Sequence, residues 1–167
     1  MARYWSLIET PFQMMAAWLD EEGRLTRFNL RAVGAAKVDP GAENNSRKLA
    51  QVQRQVTEYA SGKRRDFDLE LHAGGSDFDS KVWQALRGIP FGATMSYGAV
   101  AKTIGHPGAA RAVGAANHAN PIALIVPCHR VIGSDGSLTG YGGGLPLKRK
   151  LLEHEARVCG ARLDLFD

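Results

Sequence analysis

The sequence predicts an α+β fold in two parts: an N-terminal α/β domain over 1–75 built on an antiparallel meander, and a C-terminal helical domain of winged helix-turn-helix type over 76–167. Three observations carry this prediction. Short apolar runs separated by turn residues fill the start of the chain, helical spacing takes over after residue 76, and the small-residue step Ala73-Gly74-Gly75 lies between them as a linker.

Taken in order, Tyr4 to Ile8, Met14 to Leu19 and Leu25 to Leu30 read as strands, with turns at Thr10-Pro11 and Glu22-Gly23. Gly34 to Ser46 is rich in Gly, Ala and Asn, contains Pro40, and reads as a surface loop. Ser46 can cap the next helix, in which Leu49, Val52, Val56 and Tyr59 recur at helical spacing and which Gly62 ends. Phe67 to Leu71 alternates apolar and polar residues, as a half-buried strand does.

Beyond the linker, Ser76 or Asp77 can cap a helix whose apolar face is Phe78, Val82, Trp83 and Leu86, with Gly88-Ile89-Pro90 as its stop. A short helix over Gly98 to Ile104, the break Gly105-His106-Pro107 and a second helix from Gly108 to Ala116 form a helix-turn-helix candidate. The second helix is almost entirely Ala and Gly, and Arg111 is its only long polar side chain. Such a helix suits insertion of an arginine into a groove, or close packing against protein; spacing leaves both open. Asn120-Pro121 marks a turn, Ile122 to Val126 reads as a strand, and Leu147 to Ala156 reads as a helix. In that last helix Leu151 and Leu152 should face inward, Lys148, Arg149 and Lys150 outward, and Glu155 should be a surface carboxylate.

Composition bounds the function. With 167 residues, 44% hydrophobic and 23% charged, the chain can bury one large or two small cores and is not disordered in composition. Its apolar runs fall far short of the roughly twenty residues that span a bilayer, and its start lacks a signal-peptide core, so a cytoplasmic protein is expected. Two cysteines, Cys128 and Cys159, make no disulfide framework, and no Cys/His spacing offers a metal site. No cofactor is called for. Between Met95 and Lys150 lie Lys102, Arg111, Arg130, Lys148, Arg149 and Lys150 against a single acid, Asp135. That excess suits a polyanion such as DNA, although a solvated basic face is the common alternative.

The chemistry concentrates in Pro127-Cys128-His129-Arg130. A free thiol with a pKa of roughly 8.5 needs a base or a positive environment to become the nucleophilic thiolate. His129 and Arg130 offer both, whereas an isolated cysteine beside a strand is usually a small core hydrophobe. Downstream, Gly133-Ser134-Asp135-Gly136 and Tyr141-Gly142-Gly143-Gly144 let backbone N–H groups line a pocket. They do not form a phosphate loop, which requires a following Lys-Ser or Lys-Thr.

Pro127-Cys128-His129-Arg130-Val131, Ser96-Tyr97, Ala109-Ala110-Arg111-Ala112-Val113-Gly114, Asn120-Pro121 and Tyr141-Gly142-Gly143-Gly144 together resemble the O6-alkylguanine-DNA alkyltransferase family. The resemblance covers about Phe78 to Ala156. It implies a ribonuclease-H-like first domain, and single-use repair in which Cys128 takes the alkyl group from O6 of a damaged guanine, with O4-alkylthymine as an extension of the substrate range. His129 would draw off the thiol proton through a water, Glu155 would orient the histidine, and Tyr97 would donate to the guanine ring. Asn120 would brace the turn, Val131, Tyr141 and Gly142 would hold the base, Ser134 would contact DNA, and Arg111 would fill the gap left by a flipped nucleotide. The implied partner is double-stranded DNA carrying O6-alkylguanine, met in the minor groove by a monomer. Some relatives hold zinc in the first domain; no cysteine precedes Cys128 here, so none is expected. Relatives that only bind lesions have tryptophan in place of the cysteine. Gly142 and Ala123 stand where some relatives have serine and proline, which leaves the tolerance for bulky alkyl groups open. A lesion-binding module without chemistry and a multiple-turnover cysteine hydrolase are the competing classes.

Overall fold

The computed structural model describes residues 1–160, and residues 161–167 of the expected C-terminal domain lie outside the described residues. The fold is α+β, in two compact units. The first is Met1–Gly74 with Pro121–Ile125; the second is Gly75–Asn120 with the described residues from Val126 onward. A single boundary near Gly75 therefore misses one excursion, since Pro121–Ile125 rejoins the first unit: the Phe28 N–H donates to the Pro121 carbonyl at 2.9 Å and Ile122 bridges Phe28.

In the first unit β1 (Tyr4–Ile8), β2 (Met15–Leu19) and β3 (Leu25–Asn29) form the expected antiparallel meander. β2 is central and wholly buried, so its five residues are all apolar rather than alternating. Trp5 and Trp18 pair across β1 and β2 with stacked rings 6.2 Å apart.

The segment read as a loop instead holds a short helix, α1 (Ala35–Val38), and β4 (Glu43–Asn44), which pairs parallel to β1. Both β4 side chains are exposed, so the pairing leaves no apolar signature in the sequence. The next helix, α2 (Ala50–Ala60), starts after Leu49 with no side-chain cap, and the Ser46 cap is not formed. Phe67 to Leu71 forms no ladder beyond a bridge from Leu71 to Leu25. The buried Gln55 amide holds it instead, donating to the Asp68 carbonyl at 3.0 Å and accepting the Asp68 N–H at 2.9 Å.

The second unit opens with α3 (Asp77–Arg87). Ser76 accepts the Asp79 N–H while Asp79 accepts the Ser76 N–H, a capping box that contributes about 1 kcal/mol. Val82, Trp83 and Leu86 are buried, and the Trp83 indole donates to the Ala116 carbonyl at 2.9 Å. Gly75, at φ +121°, lies so close to Trp83 that a Cβ there would sit 2.6 Å from the ring.

Then follow β5 (Met95–Ser96), α4 (Tyr97–Thr103) and α5 (Ala110–His118). α5 uses its small residues on two edges: Val113, Ala116 and Asn117 are buried, while Arg111, Ala112 and Ala115 are exposed. Ile122 to Val126 is not a strand but a buried irregular run in which Leu124 takes φ +70°, rare for a branched side chain. A single 3-10 turn at Cys128–Arg130, then β6 (Val131–Ile132) and α6 (Leu145–Val158), complete the unit. No described helix is long and apolar enough to cross a membrane.

Candidate active site

Local backbone geometry presents the cysteine. Pro127 sits at φ −80°, ψ 65°, the shape of an inverse γ-turn, and the Cys128 N–H closes it on the Val126 carbonyl at 2.8 Å. The 3-10 turn that follows puts Cys128, His129 and Arg130 side by side, all buried, with Cys128 5% exposed. Asn120 Nδ2 donates to the Val126 carbonyl at 3.0 Å and Asn117 Nδ2 to the Cys128 carbonyl at 3.4 Å, so the last turn of α5 and the residues just after it support the turn on both sides of Pro127.

Glu155 is not a surface carboxylate. It is 1% exposed and accepts from His129 Nε2 at 2.6 Å, Arg130 Nε at 2.8 Å, Arg130 Nη2 at 3.2 Å and the Gly92 N–H at 3.1 Å. Burial alone would raise its pKa; the charges and hydrogen bonds of His129 and Arg130 outweigh that and hold it well below the usual carboxylate range. Burial also pushes the His129 pKa down, against the pull of Glu155, so the imidazole is neutral near pH 7. With an ionised carboxylate at Nε2, that nitrogen carries the hydrogen and Nδ1 holds the lone pair. Nδ1 is buried and has no hydrogen-bond partner among the described residues.

The Arg130 guanidinium is engaged first of all with the carboxylate behind the histidine. It also meets the Ile89 carbonyl at 2.7 Å and the Phe91 ring at 5.7 Å. Lys148 is a cation coupled electrostatically to Cys128; its expected outward placement is not found, and it is fully buried. Its Nζ donates to the Val131 carbonyl at 2.6 Å and the Thr139 carbonyl at 3.2 Å. Burial lowers its pKa to about 8, partly offset by Cys128. Arg149 and Lys150 are half-buried and exposed, as an outward face allows.

Tyr97 arrives by a separate route. β5 pairs parallel with β6, Met95 opposite Val131 and Ser96 opposite Ile132, and Ser96 caps α4 by accepting the Ala99 N–H. Tyr97 thus begins a helix directly beside the strand that leaves the cysteine turn. Its hydroxyl lies 2.6 Å from Thr139 Oγ1. The Tyr141 hydroxyl is buried without a hydrogen-bond partner among the described residues, and the Lys148 ammonium lies 5.9 Å from its ring centroid. Ser134 and Gly142 are exposed in the loop between β6 and α6, and Arg111 is exposed on α5.

The structure therefore brings Cys128, His129, Glu155, Val131 and Tyr141 into one neighbourhood through direct contacts and electrostatic coupling, and joins Tyr97 to it through Thr139. Arg111, Ser134 and Gly142 face solvent. Charge turns Lys148 outward in the sequence where the structure buries it, and the sequence carries no sign of the parts played by Thr139 and Asn117. Among the described residues, no three His, Cys, Asp or Glu side chains are grouped to hold a metal.

Residues 77–157 match the family described as 6-O-methylguanine DNA methyltransferase, DNA binding domain. A methylated-DNA-protein-cysteine methyltransferase of Mycolicibacterium paratuberculosis is 54% identical over 127 residues, 76% of this chain and 77% of that one. The fold superposes on the crystal structure of Mycobacterium tuberculosis O6-methylguanine methyltransferase with a TM-score of 0.84 and 42% identity, covering all of both chains. It superposes on the same organism's OGT in complex with DNA with a TM-score of 0.81 and 44% identity, over 98% of this chain and 99% of that one. The chain belongs to the methylated-DNA-protein-cysteine methyltransferase family.

Proposed function

We propose that the protein repairs DNA directly, moving the alkyl group of an O6-alkylguanine in a duplex onto Cys128 and being consumed in the act. The observation that carries this reading is the buried run from Cys128 to His129 to Glu155, in which the carboxylate fixes the imidazole 2.6 Å away and leaves its other nitrogen as a base. In the proposed step Nδ1 of His129 takes the thiol proton through a water, the thiolate attacks the alkyl carbon, and the C–O6 electron pair passes to the guanine. Ionised Glu155 stabilises the imidazolium that forms, while Arg130 holds the carboxylate in place.

The base must leave the stack to reach a sulfur so nearly buried, at a cost of a few kcal/mol. In this reading Arg111 enters a minor groove and fills the gap, which its exposure beside Ala112 and Ala115 supports. Tyr97 supplies a hydrogen bond or proton to the departing guanine, Val131, Tyr141 and Gly142 hold the base, Asn120 braces the turn, and Ser134 contacts the backbone of the DNA. The DNA-bound relative supports DNA as the partner. Intact-protein mass spectrometry tests the reading: incubation with O6-methylguanine duplex should add one methyl mass, mapped to Cys128, and titration should stop at one equivalent. An unchanged mass beside intact lesion, or many equivalents processed, overturns it. The same assay with O4-methylthymine duplex decides the wider substrate range.

A further inference from the structure

We infer that Thr139 is a positioning residue for alkyl transfer, aligning the Tyr97 hydroxyl toward the departing base through its own hydroxyl. The inference rests on the function proposed for Tyr97 and extends it to a residue of the loop between β6 and α6.

Thr139 is held at two points. Its carbonyl accepts from the buried Lys148 ammonium at 3.2 Å, and the same ammonium donates to the Val131 carbonyl at 2.6 Å. Its Oγ1 lies 2.6 Å from the Tyr97 hydroxyl. The main-chain tether fixes where the threonine stands, and the side chain passes that position to a tyrosine on another element. Tyr97 is the first residue of α4; its ring lies beside Gly114, and Thr139 meets the hydroxyl at its far end.

Either hydroxyl can donate in this pair, and the role proposed for Tyr97 selects the direction. A phenol has one hydrogen and can also accept. If that hydrogen is to reach the guanine, the Thr139 O–H must donate to the Tyr97 oxygen. Donation to the oxygen polarises the phenol and strengthens its own donation. The step then balances: the S–C bond forms as C–O6 breaks, the electron pair goes to the guanine, and Tyr97 delivers its proton to the ring. The resulting phenolate accepts from Thr139 until water returns a proton.

The test uses the full-length protein in single-turnover reactions with O6-methylguanine duplex. Thr139→Val keeps the β-branched shape and removes the hydroxyl. It should slow alkyl transfer roughly tenfold, the worth of one hydrogen bond, and leave lesion-duplex affinity unchanged. Thr139→Ser should recover most of the rate. In a Tyr97→Phe background, Thr139→Val should cost nothing more, because the two hydroxyls act as one unit. Wild-type rates in Thr139→Val, failure of serine to rescue, or losses that simply add in the double variant would overturn the inference while leaving alkyl transfer intact. A Tyr97→Phe variant as fast as wild type would overturn it together with the Tyr97 role, and absence of any methyl on Cys128 would overturn the function beneath both.

Discussion

Arg130 and Glu155 form a bidentate ion pair inside the protein, with Nε on one carboxylate oxygen at 2.8 Å and Nη2 on the other at 3.2 Å. Both side chains are nearly sealed from water, at 6% and 1% exposure. Removing one partner of such a pair strands the other, so Arg130→Met should destabilise the fold by about 3–5 kcal/mol in urea unfolding at neutral pH. Arg130→Lys should recover little, since an ammonium cannot reproduce the fork that spans both oxygens and still reaches Ile89. An unfolding curve unchanged in Arg130→Met would show that the pair is not needed for stability.

The same cluster sets how the protein responds to acid. His129 has a depressed pKa in the fold, so as pH falls through the unfolded value of 6.5 the unfolded chain takes up a proton that the folded chain refuses, and stability drops. Glu155 is also depressed; its contribution is present above 4.5 and is lost as pH falls further. Unfolding free energy should therefore decline first below about pH 6.5 and again below about pH 4.5. His129→Gln should flatten the first decline, measured by urea titrations at a series of pH values. Identical slopes in the two proteins would remove His129 from the account.

How much of this was legible depended on whether side-chain pattern or backbone pairing makes each element. The meander and α3 were readable because apolar period and turn residues determine them, and Ser76 with Asp79 announces its cap. β4 was not, because Glu43 and Asn44 contribute backbone pairing with both side chains in water. Ile122 to Val126 looked like a strand because burial alone selects apolar residues, and the positive φ of Leu124 leaves no mark in composition. Lys148 was legible and was misread by its charge. At about 100° per residue it falls between Leu151 and Leu152 and almost in line with Glu155, two turns on, so it belongs to the buried stripe of α6. Glu155 itself came from family resemblance. Thr139 joins Tyr97 across 42 residues of sequence, and no local pattern carries such a contact.

Arg111 should separate duplex chemistry from base chemistry. It is exposed on α5, and the adjacent exposed positions are the alanines 112 and 115, so it can enter a groove without dragging bulk with it. Arg111→Ala should slow repair in duplex DNA by an order of magnitude or more while leaving reaction with free O6-alkylated guanine base near wild type. Its stability should change by less than about 0.5 kcal/mol, as for most exposed positions. Equal losses with duplex and free base would argue against a role in holding the nucleotide out.

Lys148 offers a pH signature that distinguishes charge from packing. Its attraction to Cys128 is mutual: the thiolate favours the ammonium, and the ammonium favours the thiolate. Because its pKa in the fold is about 8, the charge is present below that pH and is lost above it. Iodoacetamide should thus alkylate Cys128 several-fold faster in the wild type than in Lys148→Met at neutral pH, and the ratio should approach one as pH rises past about 8. Stability supplies an independent reading. Between about 8 and 10.5 the unfolded chain holds a proton at Lys148 that the folded chain has released, so unfolding free energy should rise with pH across that window in the wild type. In Lys148→Met that contribution disappears. A rate ratio constant from about pH 7 to about pH 9, with parallel stability curves, would reduce Lys148 to a packing residue that ties Val131 to Thr139.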